Sequence, residues 1–128
     1  MNSNHDAQIS VESVDCYTKI TLTGTLVYHN LDEVKAVFKT LEVNSQGYII
    51  VLDQVLHIDS TGFGAIVNFA KRIQSSIGKI VMVVPDRFIR ELFQISQFHL
   101  VFPIGETVQE AIQLLNNGFK TDLTIHEY

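Results

Sequence analysis

Between Tyr48 and Ile77 the apolar pattern changes its period once, and that change constrains most of what this chain can become. The run Tyr48-Ile49-Ile50-Val51-Leu52 is continuously apolar and rich in β-branched residues, the pattern of a strand buried on both faces. After Gly62, residues Phe63, Ile66, Val67, Ala70, Ile73 and Ile77 recur at helical spacing and form one apolar stripe. Gly64, Asn68 and Arg72 fall on the opposite face, with Phe69 at the stripe's edge. The connecting Ile58-Asp59-Ser60-Thr61-Gly62-Phe63-Gly64 therefore presents Asp59, Ser60 and Thr61 at a helix N-terminus, where backbone N–H groups lack partners and the dipole favours negative charge. Two readings of this turn compete. Asp59 or Ser60 is an N-cap, or an exposed hydroxyl between glycines that admit a close backbone is a modification site. The two are compatible if Asp59 caps and Ser60 points outward.

The flanking sequence extends the pattern. Ile9 and Val11 alternate with Ser10 and Glu12 as a short half-exposed strand, and Asp15-Cys16 reads as a turn. Ile20, Leu22 and Leu26 alternate with Lys19, Thr21 and Thr23, with Gly24 in the inward row, which predicts a second strand in a hairpin with the first. Asn30 precedes Leu31-Asp32-Glu33 as an Asx cap with a capping-box glutamate, and Leu31, Val34, Phe38 and Leu41 form the stripe of a first helix. Gln46-Gly47 breaks before the central strand, Tyr48 to Leu52. The second helix runs to about Ser76, with Gly78 as its C-cap. Ile80 to Val84 is a further apolar strand, and Asp86 caps a short helix containing Phe88, Ile89, Leu92 and Phe93. Leu100-Val101-Phe102 is a brief last strand. Thr107 to Glu110 is a capping box for a final helix that turns Val108, Ala111, Ile112 and Leu115 inward and has Gly118 beyond its end. The expectation is an α/β fold of order β-β-α-β-α-β-α-β-α, a four- to five-stranded mixed sheet with about four helices.

The 128 residues suit one domain, 1–128, with its core at about 8–117 and a loose leader and tail. Leu123, Thr124 and Ile125 in the tail read as an edge strand, a packed segment or a frayed end. Hydrophobic residues make up 46% of the chain, enough for a packed core. A net charge of −5 without a basic cluster argues against a nucleic-acid or anionic-membrane surface. The polar start lacks a signal-peptide apolar segment, and the run from Ile80 to Val84 is too short to span a bilayer. Cys16 is the only cysteine, which excludes an internal disulfide and suits a reducing, cytoplasmic setting.

Catalytic patterns are thin. Gly62 and Gly64 lack the third glycine of a dinucleotide fingerprint, since Val67 stands there, and there is no Walker A pattern. The five histidines show no short metal-ligand spacing, so neither a metal nor a cofactor is expected. His57 shares a strand face with Asp59, so an imidazole–carboxylate contact stands beside the reading of a solvated loop histidine. Ser60 lies outside any Gly-x-Ser-x-Gly context.

The turn Asp59-Ser60-Thr61-Gly62-Phe63-Gly64 between a buried strand and an amphipathic helix, with the order of elements around it, resembles the STAS domain over roughly residues 8 to 117. More narrowly it resembles the stand-alone anti-sigma factor antagonists of bacteria. That resemblance implies phosphorylation at Ser60, the first hydroxyl residue after the aspartate. It implies a kinase-type anti-sigma factor that binds the unmodified protein and phosphorylates it, and a PP2C-like serine phosphatase that resets it. The partner surface would comprise Asp59, Thr61, Gly62, Phe63, Gly64, Ala65, Asn68 and Arg72, on a monomer or weak dimer with no catalytic residues. Two departures stand out. Val27 follows Gly24-Thr25-Leu26 where the family commonly carries an acid, and Val51 occupies a second commonly acidic place, so the surroundings of Ser60 should be less negative, with Asp53 a partial replacement. The alternatives are a STAS scaffold subunit of a stress-sensing or lipid-transport complex without phosphoregulation, and a small enzyme using Asp59 and Ser60.

Overall fold

The computed structural model describes residues 6–41, 46–75, 79–97 and 102–117. Its strands are β1 (Gln8–Val14), β2 (Tyr17–Leu26), β3 (Tyr48–Ile58), β4 (Ile80–Val83) and β5 (Ile104–Gly105). Its α-helices are α1 (Asp32–Thr40), α2 (Ser60–Ser75), α3 (Arg87–Ile95) and α4 (Val108–Asn116), with a 3-10 turn at Tyr28–Asn30. The strands form one sheet in the order β1-β2-β3-β4-β5. The first pair is antiparallel and the rest are parallel, as a hairpin followed by strand–helix crossovers requires. Asp15 turns the hairpin with φ 57°, a left-handed position that aspartate tolerates.

Alternation along β3 and β4 divides the core. Ile50, Leu52, Ile80 and Met82 face α1, α2 and α3, whose Val34, Phe38, Ile66, Ile73, Ile89 and Phe93 complete the larger cluster. Ile49, Val51, Val81 and Val83 face α4 and pack on Ala111 and Leu115. Strands apolar in both rows are the consequence of helices on both faces.

Local signals hold where the interaction is local. Asp86 Oδ2 accepts the Ile89 N–H at 3.0 Å, and Thr107 Oγ1 accepts the Glu110 N–H at 3.0 Å. The Glu110 carboxylate returns to the Glu106 N–H at 2.8 Å, one residue before the cap.

Four expectations change. The central strand does not end at Leu52 but runs to Ile58. Beyond Val51, β4 is no longer alongside, so Asp53 and Gln54 meet solvent while β2 continues the pairing through two register shifts. Asn30 is not the cap of α1. It closes the 3-10 turn and donates from Nδ2 to the Thr25 carbonyl at 3.2 Å, and Leu31 takes the cap position with no side-chain bond. The last strand lies at Ile104–Gly105 beside Met82 and Val83, while Phe102 is buried ahead of it. Leu100 and Val101 lie outside the described residues, as do Gly78, Gly118, residues 1–5 and the tail from Phe119. Phe69 is not marginal: it is buried and stacked on Phe38 with ring centroids 4.3 Å apart, because α1 covers that side of α2.

Candidate functional site: the Asp59–Gly64 turn

β3 hands over to α2 at Asp59, and every polar atom of that residue has work. Its N–H donates to the Leu26 carbonyl at 3.2 Å, anchoring the turn to the end of β2, and its carbonyl accepts the Phe63 N–H at 2.9 Å as the first helical bond. Oδ1 accepts the Gly62 N–H at 2.9 Å, and Oδ2 accepts the Tyr28 N–H at 3.0 Å. Asp59 thus caps α2 and ties it to the segment after β2. The Gly62 N–H first, and the Tyr28 N–H next, hold the carboxyl below the usual carboxylate range. A group whose folded pKa is lowered contributes stability above its unfolded pKa and loses it as pH falls through the folded value. Asp59→Asn should therefore be less stable than the wild type near neutrality, with the gap closing on acidification below about pH 4. Urea midpoints of both proteins across that range measure the convergence.

Gly62 is packed for an internal reason. A Cβ there would sit 2.1 Å from the Leu26 carbonyl oxygen, so α2 can approach β2 only because this residue is glycine. At Gly64 a Cβ would meet nothing within 4 Å. Of the two glycines that the sequence offers for close approach, only Gly64 is open to another molecule.

The side chains predicted to form the surface fall into distinct environments. Ser60 and Asn68 are exposed, and Thr61, Phe63 and Ala65 are half-buried. Phe63 makes an edge contact with Phe93, centroids 4.9 Å apart, which sets α3 beside the first turn of α2. Arg72 turns back to α1. Its guanidinium donates to the carbonyls of Phe38 (2.6 Å), Leu41 (3.1 Å) and Lys39 (3.4 Å) and lies 5.3 Å from the Phe69 ring centre. These are helix C-terminal carbonyls, where a cation is favourable. Arg72→Ala should lower stability by about 2 kcal/mol, the order expected for hydrogen bonds from a charged group, in a chemical-denaturation titration.

His57 is exposed, and among the described residues it makes no hydrogen bond to Asp59, whose two carboxylate oxygens are taken by backbone donors. Val27 is half-buried immediately before Tyr28, next to the turn. Val51 is elsewhere. It is buried under α4, so a valine there does not alter the charge around Ser60, contrary to expectation. Among the described residues no group of three or more His, Cys, Asp or Glu side chains is placed to hold a metal ion, and no helix is long and apolar enough to cross a membrane.

The sequence reading missed an apolar surface beside the turn. Leu56, Phe88, Leu92 and Ile95 are 52%, 79%, 38% and 77% exposed, too much for one neighbourhood to be incidental. With Ile58, His57, Asp86 and Glu91 they line a depression of about 430 Å³. A signal was available: Phe88, Leu92 and Ile95 are spaced i, i+4, i+7 and make a second stripe on α3, separate from Ile89 and Phe93.

The family described as the STAS domain matches residues 8–111. The chain belongs to that family. A curated relative, a candidate anti-sigma factor antagonist of Thermotoga maritima, is 32% identical over 75 residues, which are 56% of this chain and 66% of that protein, a little under two thirds of its length. The crystal structure of a candidate antagonist from Thermotoga maritima is 26% identical, covers 90% of this STAS chain and 99% of its own, and superposes with a TM-score of 0.76. The phosphorylated form of SpoIIAA, a Bacillus cell fate determinant, shares the fold at 22% identity, covering 83% and 97% of the two chains with a TM-score of 0.65.

Proposed function

We propose that this STAS protein is an anti-sigma factor antagonist that works by partner switching. In this reading the unmodified protein binds a kinase-type anti-sigma factor around the start of α2. That partner phosphorylates Ser60, the complex separates, and a PP2C-like phosphatase restores the hydroxyl. The observation that carries the reading is the exposed Ser60 hydroxyl at the first position of α2, held by a neighbour, Asp59, that already caps the helix and so leaves the serine, among the described residues, without a side-chain partner. SpoIIAA, known in unphosphorylated and phosphorylated forms, supports a covalent switch on this fold. The apolar depression beside the turn supplies the kind of surface on which a phosphate is costly, since its charge must be desolvated there. Binding to a partner, without a reaction of the protein's own, is the activity. Its surface comprises Ser60, Asp59, Thr61, Phe63, Gly64, Ala65 and Asn68, with Gly62 and Arg72 shaping it from beneath.

Intact mass after incubation with ATP and a candidate kinase-type anti-sigma factor tests this directly. The expected result is a gain of one phosphate that Ser60→Ala abolishes and Thr61→Ala retains. Stable complex formation without a mass gain would replace this reading with that of a scaffold subunit. Val27 is the observation that favours that second reading, because it puts an isopropyl group beside the turn where the family commonly carries an acid.

A further inference from the structure

α1 and α2 do not close against each other along their outer sides. They leave a groove of about 290 Å³. Its floor is the stacked pair Phe38 and Phe69 with Ala65 at one end, and Lys35, Lys39 and Arg72 stand around it. Among the described residues, no aspartate or glutamate lines it. In a chain with nine basic and fourteen acidic residues this is a local inversion of charge, gathering three of the nine cations around one apolar strip. Arg72 is committed to the end of α1, but its charge still adds to the local field. Lys35 and Lys39 are exposed, and among the described residues neither ammonium is in an ion pair.

We propose that this groove binds an acidic peptide segment of a partner protein, with one apolar side chain seated on Phe38 and Phe69 and carboxylates meeting Lys35 and Lys39. The charge decides the class of ligand. Long lysine side chains lay their stems along the apolar floor and keep their ammonium groups at its edge, which rewards a ligand apolar in the middle and anionic at the flanks. The shape favours a peptide over a small molecule, because the groove is an open strip between two helices instead of an enclosing pocket. Ala65 and Asn68 continue the outward side of α2 from Ser60, so the groove extends the partner face proposed above and rests on that reading only in treating this side of α2 as a binding surface.

The test is a titration of the 15N-labelled protein with an acetylated, amidated peptide of sequence Glu-Glu-Leu-Phe-Glu-Glu, and with its counterpart in which lysines replace the glutamates. The acidic peptide should bind with a millimolar or tighter Kd, moving amide signals of residues 35–39, 65 and 68. Exposed ion pairs contribute only modestly each, so Lys35→Glu/Lys39→Glu should weaken binding by about tenfold, as should salt near 1 M, where the Debye length is about 3 Å. Both lysines are exposed, so the variant should keep the wild-type spectrum away from the substitutions. Equal binding of the lysine peptide, shifts centred elsewhere, or no binding of the acidic peptide at about 5 mM would each overturn the proposal. The titration involves no chemistry at Ser60. Its failure leaves the phosphorylation reading in place, and an unmodified Ser60 in the mass experiment leaves the groove result unaffected.

Discussion

Gly62→Ala is expected to destabilise the protein by about 3 kcal/mol or more, at the upper end of overpacking effects. The methyl would lie 2.1 Å from the Leu26 carbonyl oxygen and 3.0 Å from its carbon, and a backbone carbonyl cannot rotate aside as a flexible side chain can. Leu26 also accepts the Asp59 N–H, so relief by lifting α2 would break the bond that anchors the turn. That movement would pull Asp59 from Gly62 and Tyr28 as well, coupling the steric penalty to loss of the cap. Gly64→Ala is the internal control. Its methyl has open space, and replacing a helical glycine by alanine should add roughly 0.5–1 kcal/mol of stability. Urea unfolding of the two variants gives the comparison. Equal effects at the two positions would refute the account of why Gly62 is glycine. If Gly64→Ala is stable yet binds the partner more weakly, the open glycine is where the partner comes close.

If the proposed switch operates, phosphorylation of Ser60 should reduce affinity for the proposed kinase-type partner by at least about thirtyfold, the scale of burying an uncompensated charge at an interface. The modification adds about 1.5 to 2 negative charges at neutral pH. Within the protein this is tolerable, because a helix N-terminus favours an anion. The tolerance is partial: the Gly62 N–H is already given to Asp59, so the phosphate shares the helix start with a carboxylate held in its charged form. Against a partner that covers the apolar depression lined by Leu56, Phe88 and Leu92, the same charge must lose water, which is costly unless a cation compensates it. Calorimetric titration of the phosphorylated and unmodified proteins into the partner measures the ratio, and thermal unfolding of the two forms, expected to agree within about 1 kcal/mol, separates binding from fold damage. Affinities within about threefold of each other would sink the switch and leave the turn as a capped helix start only.

Much of the architecture was legible because it rests on interactions a few residues apart or on a simple period. The caps at Asp59, Asp86 and Thr107 bridge three residues each, and the doubly apolar rows of β3 and β4 imply helices on both faces before any contact is known. The same locality explains the misreadings. Asn30-Leu31-Asp32-Glu33 has the letters of a capping box, but Tyr28 is engaged by Asp59, thirty-one residues on, and the chain there forms a 3-10 turn that sends the Asn30 side chain to Thr25. The central strand reads as ending at Leu52 because polar residues interrupt the apolar run there, yet Asp53, Gln54 and His57 belong to a strand whose far neighbour has ended.

By itself the sequence determined the order of elements, the mixed sheet and the turn that places Ser60 at the start of α2, because hydrophobic period and capping chemistry are written along the chain. The folded packing settled which glycine is crowded by its own chain and which is open, that Arg72 braces α1 through the carbonyls of Phe38, Lys39 and Leu41, and that Val51 lies away from the charge it was expected to affect. Each of those depends on two segments about thirty or more residues apart meeting across the core. Contacts of that kind follow from how helices pack on a sheet, which no local spacing encodes.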